Sequence, residues 1–194
     1  FNNRKNNKIT FSYLGNFYGK RTPEPLLKAI DQIKIQNPKL LNNIFFNFYG
    51  SQDEISQDII DKFNFSERLV KFYSPISYIK SLEKMQQADI LLIIDAAFEK
   101  SVFLPSKLID YLGSKTPILG ISPEGTTKDL LKSIGYKCIH PNDKELIKKS
   151  LIYIINNYDK YRSRNLNHKL VNSFNSVSIG RKRKNLISNL LSQK

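Results

Sequence analysis

Phe103-Leu104-Pro105-Ser106-Lys107-Leu108-Ile109-Asp110-Tyr111-Leu112-Gly113-Ser114-Lys115-Thr116-Pro117-Ile118-Leu119-Gly120 follows an apolar run over 90–94 that ends in Asp95-Ala96-Ala97. This order predicts a buried strand over 90–94, a loop, a helix over 105–114 opened by Pro105 and Ser106, and another strand over 116–121. In such a βαβ unit the helix N-terminus faces the carboxyl end of the preceding strand. Anions are favoured there, because the first-turn N–H groups lack intrahelical acceptors and the helix dipole is positive at that end. Ser106 adds a hydroxyl and Lys107 a cation. Asp110 and Tyr111 follow Lys107 by three and four residues, so the three occupy neighbouring positions on one side of the helix. A carboxylate beside a phosphate-binding helix start suits a ribose diol, and the stretch reads as a nucleotide site.

The same alternation extends to both sides. Strands are expected over 8–14, 44–49, 69–73 and 136–139 in addition to the two above. Between them, helices are expected over 22–36 (capped by Thr22, with Pro23 in its first turn), 52–63, 77–87, 126–134 (capped by Thr126 or Thr127 and ended by Gly135) and 143–157. Six short apolar strands alternating with amphipathic helices predict an α/β, doubly wound, Rossmann-like parallel six-stranded sheet with helices on both faces. If strands one to three run outward one way and four to six the other, the switch lies between strands one and four. Ligands then bind outside their carboxyl ends, where the loop 15–21 meets the segment 96–107. The expected division is a Rossmann-like nucleotide-binding domain over 1–157 and a helical extension over 158–194, whose last helix, over 176–191, carries the basic cluster 181–184.

Formal charge is +14, from 31 Lys and Arg against 17 Asp and Glu, and the single cysteine, Cys138, lies in an apolar run. One cysteine excludes a disulfide framework and points to a reducing cytoplasm. No apolar stretch approaches the roughly 20 residues that span a bilayer. The chain lacks an initiator Met and enters its first strand almost at once, which is expected of a piece of a longer protein. The basic cluster has no interleaved aromatic residues, as single-strand binding would require, and no nucleic acid is expected as a partner. His140 and His168 have no Cys or carboxylate at metal-ligand spacing, and no metal is expected.

Gly15-Asn16-Phe17-Tyr18-Gly19-Lys20-Arg21 is a glycine-bearing strand-to-helix loop, yet neither the dinucleotide fingerprint nor a Walker loop. It offers two flexible positions, Gly15 and Gly19, and the adjacent cations Lys20 and Arg21, suited to grasping a diphosphate from the side opposite the helix N-terminus. The bland alternatives are a turn with two solvated charges and, for Asp110, a helix-surface carboxylate paired with Lys107 or Ser114. Glu99 could meet a sugar hydroxyl, and exposed backbone at Pro75 and Ile76 could read a base edge.

Three segments carry a resemblance. They are Tyr13-Leu14-Gly15-Asn16-Phe17-Tyr18-Gly19-Lys20-Arg21, Met85-Gln86-Gln87-Ala88-Asp89-Ile90-Leu91-Leu92, and Leu104-Pro105-Ser106-Lys107-Leu108-Ile109-Asp110-Tyr111-Leu112 with Pro117-Ile118-Leu119. Over nearly its whole length the chain resembles the carboxyl-terminal, nucleotide-sugar-binding half of retaining GT-B glycosyltransferases. The likeness is to the family 4 type that serves polysaccharide, capsule and lipopolysaccharide assembly. The resemblance implies that Lys20, Arg21 and Lys107 act on the donor diphosphate and that Gly15, Asn16, Gly19 and Ser106 surround it. Asp110 would hold the ribose, where most members have Glu, and Pro75 and Ile76 the base. The family's first acidic residue, eight positions before the ribose carboxylate, falls on Val102, which leaves Glu99 as the available carboxylate.

The implied reaction transfers a sugar from a UDP- or GDP-sugar to a glycan or lipid-linked acceptor with retention, needing no cofactor beyond the donor. It also implies an amino-terminal acceptor domain as partner, on which the terminal helix docks, and a cytoplasmic site, with peripheral contact to the inner membrane face. Two rivals are a nucleotide-sugar 2-epimerase-like enzyme and a non-catalytic basic module that binds nucleic acid or lipid.

Overall fold

The computed structural model describes residues 8–175 together with 177, 178, 180, 181 and 184. Most of the expected terminal helix over 176–191, half of the cluster 181–184 and the start of the chain lie outside the described residues.

The elements run β1 (Ile9–Leu14), α1 (Glu24–Gln36), β2 (Ile44–Tyr49), α2 (Glu54–Asp61), β3 (Val70–Tyr73), α3 (Tyr78–Gln87), β4 (Ile90–Ile94), β5 (Lys100–Ser101), α4 (Lys107–Ser114), β6 (Ile118–Ile121), β7 (Glu124–Gly125), α5 (Thr126–Ile134), β8 (Lys137–Ile139), α6 (Lys144–Asn156), α7 (Tyr158–Arg162) and α8 (His168–Asn172). The main sheet has six parallel strands in the order β3-β2-β1-β4-β6-β8. Strand order reverses between β1 and β4, which pair Phe11 with Ile90 and Ser12 with Leu91. The expected doubly wound sheet and its switch point are both present.

Residue-by-residue alternation sends each strand's side chains to two apolar cores. Ile90, Leu92 and Ile94 face one core with Phe11, Tyr13, Phe46 and Phe48, under Leu26, Leu27, Ile30 and Ile33 of α1 and Ile147, Leu151 and Ile154 of α6. Leu91 and Ile93 face the other with Leu14 and Ile118, under Met85 of α3, Leu108, Tyr111 and Leu112 of α4, and Leu131 and Ile134 of α5. Every residue of β4 is buried, as a strand covered on both faces requires. Phe11 stacks on Phe46 with ring centres 4.8 Å apart, a cross-strand pair that ties β1 to β2. Cys138 lies in the second core, where burial pushes its thiol up to about 12. Beyond α6, Tyr161 of α7 is buried in the first core and donates its hydroxyl to the Ile118 carbonyl at 2.7 Å. Leu170 and Val171 of α8 pack on the second core.

The helix starts differ from expectation in ways that matter locally. Thr22 does not cap α1. Pro23 already has helical backbone angles and its carbonyl accepts from the amides of Leu26 and Leu27, so the start moves on by one residue. α2 begins at Glu54 and is capped by the Asp53 carboxylate, which accepts from the Ser56 amide at 2.9 Å. Neither Thr126 nor Thr127 caps α5. Their hydroxyls donate to the carbonyls of Val102 and Phe103, at 3.2 and 2.9 Å. Those bonds accompany the small parallel pair β5–β7, absent from the sequence reading, which ties the loop after β4 to the loop after β6. Gly135 ends α5 in the left-handed conformation, φ 108°, as expected.

Candidate functional site

The crevice at the switch point is built from the loop after β1, the segment after β4 and the start of α4. The first of these is pinned rather than flexible. Gly15 leaves β1 at φ 146° and donates to the Tyr49 carbonyl at 2.8 Å, and the Phe17 amide donates to the Ser51 carbonyl at 2.9 Å. Asn16 spends its side-chain oxygen on the Ser51 amide at 3.0 Å, while Asp53 accepts from the Gly19 amide at 2.7 Å. Gly19, at φ 57°, closes the turn in which Tyr18 and Arg21 exchange backbone hydrogen bonds. Phe17 is buried and stacks on Tyr13 with ring centres 4.5 Å apart. The loop therefore presents its cations from a fixed platform.

The two cations diverge. Lys20 is exposed and lies 5.1 Å from the centre of the Phe98 ring. Arg21 folds inward, its side chain 13% exposed, and its Nη2 donates to Asp95 Oδ1 at 3.2 Å. Its Nη1 donates to the Tyr18 hydroxyl at 3.0 Å, and the guanidinium lies 5.1 Å from the Phe103 ring centre. Asp95, the first residue after the all-apolar β4, is 3% exposed and accepts from the Ser122 hydroxyl at 3.0 Å through its other oxygen.

Lys107, the first residue of α4, sends its ammonium back toward β1. Its Nζ lies 3.9 Å from the centre of the Tyr13 ring, buried and, among the described residues, without a hydrogen-bond partner. Gly15 makes that placement possible, since a Cβ there would collide with Nζ. Lost hydration, and then the charge of Arg21, pull the Lys107 ammonium down to about 7, while Asp95 acts in the opposite direction. Burial pushes the Tyr13 phenol well above its usual range, so it stays protonated and donates to the Asn16 carbonyl at 3.3 Å. Ser106 is exposed at the helix start and makes no capping bond.

Farther along α4, Asp110 accepts from the Tyr78 hydroxyl of α3 at 3.1 Å, not from Lys107 or Ser114. Tyr111 is fully buried and its oxygen accepts from the Leu14 amide at 2.9 Å, a packing role. Lys107, Asp110 and Tyr111 thus point in three directions rather than sharing one face of α4. Lys107 reaches Tyr13, Tyr111 tethers β1, and Asp110 meets α3. Pro75 is exposed and Ile76 half-buried just before α3, so the Tyr78–Asp110 bond links their loop to α4. Glu99 is exposed in the loop after β4, and Val102 is 87% exposed.

Asp95, Ser122, Tyr13 and Tyr78 were not singled out by sequence as site residues. An acid closing a fully apolar strand was the one available signal, for Asp95. Among the described residues no group of three His, Cys, Asp or Glu side chains could hold a metal ion.

No family model and no curated protein matches the sequence. Solved structures do match the fold. The chain has the fold of a GT-B carboxyl-terminal domain. It superposes on HepE of Anabaena, solved with UDP-glucose, at TM-score 0.71 and 14% identity, covering 94% of this chain and 49% of that one. For the pneumococcal O-GlcNAc transferase GtfA, solved with UDP and GlcNAc, the TM-score is 0.67 at 16% identity, over 97% of this chain and 37% of that one. The C-terminal domain of a group 1 glycosyl transferase, LpcC of Francisella tularensis, aligns at TM-score 0.64 and 13% identity over 85% of both chains. The chain thus spans half or less of HepE and GtfA.

Proposed function

We propose that this chain is the donor-binding half of a glycosyltransferase that takes a sugar from a nucleoside diphosphate sugar, a UDP-sugar first among them, and passes it to an acceptor hydroxyl. The observation that carries the reading is the convergence of Arg21 and the unpartnered Lys107 ammonium at the switch point between β1 and β4, beside the N-terminus of α4. Doubly wound folds bind phosphorylated ligands there. HepE and GtfA share the fold and were solved with UDP-bearing ligands, which supports uridine as the base.

The chemistry this half supplies is electrostatic. As the glycosidic bond breaks, negative charge grows on the leaving diphosphate, and preorganised cations stabilise that charge more than they stabilise the bound ground state. Lys107 is suited to this because no acceptor among the described residues satisfies it. Arg21, held by Asp95 and Tyr18, adds a fixed guanidinium, and exposed Lys20 and Ser106 stand at the rim. Asp110, at the α3 edge of α4, would accept from the ribose hydroxyls, with the loop of Pro75 and Ile76 nearby for the base. Glu99 would reach the donor sugar from the loop after β4.

Retention of anomeric configuration, a family 4 type enzyme, a role in surface polysaccharide synthesis, a glycan or lipid-linked acceptor, and a cytoplasmic site touching the inner membrane face belong to the same proposal. So does an amino-terminal acceptor domain on which the basic tail docks, in keeping with a chain that spans 49% of HepE. No helix among the described residues is long and apolar enough to cross a membrane. Calorimetric titration of the chain with UDP, GDP, ADP and their sugar conjugates tests the reading. Saturable binding of one nucleoside diphosphate is expected, and it should weaken at least tenfold, yet stay measurable, on Lys107→Gln. Binding to none of them by the folded protein overturns it.

A further inference from the structure

Asp95 is a buried carboxylate at the floor of a site that the proposed function fills with a polyanion. A charge of the wrong sign in that position needs a reason. Both of its oxygens are engaged, one by Arg21 Nη2 at 3.2 Å and the other by the Ser122 hydroxyl at 3.0 Å, and its own amide donates to the Ile121 carbonyl at 2.9 Å. It is therefore anchored to β6 and in turn anchors the guanidinium. Arg21 reaches it from the loop after β1, so one carboxylate joins the two sides of the crevice.

Resting on the donor-binding reading above, we infer that Asp95 is a positioning residue of the diphosphate site: it clamps Arg21 across the crevice and is the counter-charge to the two cations gathered there. The first half follows from geometry. An arginine with a long, flexible stem is fixed by two side-chain partners, Asp95 and Tyr18, and its entropy of immobilisation is met before any ligand arrives. The second half follows from charge. The groups facing the Lys107 ammonium are the Tyr13 ring of β1, the Arg21 guanidinium and Asp95, with Tyr111 and Asp110 farther along α4. Tyr13 and Tyr111 stay neutral through burial, and Asp110 is turned to Tyr78. Asp95 is thus the anion that offsets Arg21 and keeps a second cation tolerable beside it.

The test is UDP affinity against pH for the chain and for Asp95→Asn, measured by calorimetry between pH 6 and 8.5. The terminal phosphate of UDP titrates identically in both experiments and cancels. Asp95→Asn is expected to weaken UDP roughly tenfold at pH 8 and distinctly less at pH 6, with the midpoint of the affinity–pH curve moved to lower pH. In a Lys107→Gln background the pH dependence of the Asp95→Asn effect should vanish. Tighter binding by Asp95→Asn, unchanged binding, or a loss equal at every pH overturns the inference while leaving the donor-binding reading intact. If the wild-type chain binds no UDP, both fall. Should Asp95→Asn fail to fold, Ser122→Ala keeps the charge of the carboxylate but frees it from one of its two restraints, so Arg21 should be held less firmly and UDP should bind more weakly by a smaller factor. Unchanged UDP affinity in that variant overturns the inference equally.

Discussion

The Lys107 ammonium lies 3.9 Å from the centre of the Tyr13 ring and donates to no acceptor among the described residues. In the unfolded chain it is an ordinary hydrated lysine. In the folded chain it is pulled down to about 7 by burial and by Arg21. A lysine whose folded value is depressed binds fewer protons folded than unfolded, so between about pH 7 and 10 its contribution makes stability rise with pH. The raised phenols and the Cys138 thiol act in the opposite sense at the alkaline end, so the comparison with a variant isolates the lysine. Urea unfolding at pH 7 and 9.5 should show wild type gaining on the order of 2 kcal/mol relative to Lys107→Met over that interval. Parallel pH dependence in the two proteins would mean the ammonium stays charged when folded.

The divergence of Lys20 and Arg21 makes two adjacent cations unequal. Arg21 is mostly buried and fixed by two side-chain partners, whereas Lys20 is exposed against Phe98. Arg21→Ala should weaken UDP by roughly 2 kcal/mol, the scale of a charge-assisted hydrogen bond in a partly buried site. Lys20→Ala should cost well under about 1 kcal/mol, because solvent screens an exposed ion pair. Equal losses from the two variants would show that Lys20 turns inward when the ligand binds.

Asp110 and Tyr78 form the hydrogen bond that would compete with a ribose. Tyr78→Phe removes that competitor while leaving the carboxylate, so UDP should bind as tightly as to wild type or up to a few-fold tighter. Asp110→Asn should weaken UDP and narrow its preference over 2′-deoxy-UDP, since a charged acceptor for the diol is lost. Full discrimination retained by Asp110→Asn would assign the residue to the α3–α4 contact alone.

The alternation of apolar strands with amphipathic helices made the doubly wound sheet and the switch between β1 and β4 legible, because both depend on periodicity and chain order. The placement of single side chains did not follow in the same way. Lys107 stands where a helix pattern puts a solvated charge, and its burial depends on Tyr13 and on the missing Cβ of Gly15, both distant in sequence. Asp95 could be recognised as unusual at the end of β4, but its partners Arg21 and Ser122 come from other loops. Thr126 and Thr127 have the right chemistry for caps and lie beside a helix start, yet nonlocal carbonyls of Val102 and Phe103 take their hydroxyls. Local rules rank what a residue can do; tertiary neighbours decide which of those it does.

Gly15 and Gly50 face each other at the carboxyl ends of β1 and β2, and the two should fail differently when given a side chain. Both have positive φ, 146° and 150°, where any L-residue is strained. At Gly50 the added Cβ would meet the carbonyl of Gly15, which is backbone and cannot swing aside as a side chain can. At Gly15 it would meet the Lys107 Nζ, the far end of a long side chain that swings aside. Gly50→Ala should therefore be the more destabilising change, by roughly 2 to 4 kcal/mol in urea unfolding. Gly15→Ala should cost about 1 to 2 kcal/mol in stability yet lose more UDP affinity than that strain accounts for, because it expels the ammonium from its seat. A Gly15→Ala chain that keeps wild-type UDP affinity would show that the diphosphate does not use Lys107 in this position, whatever the stability of the variant.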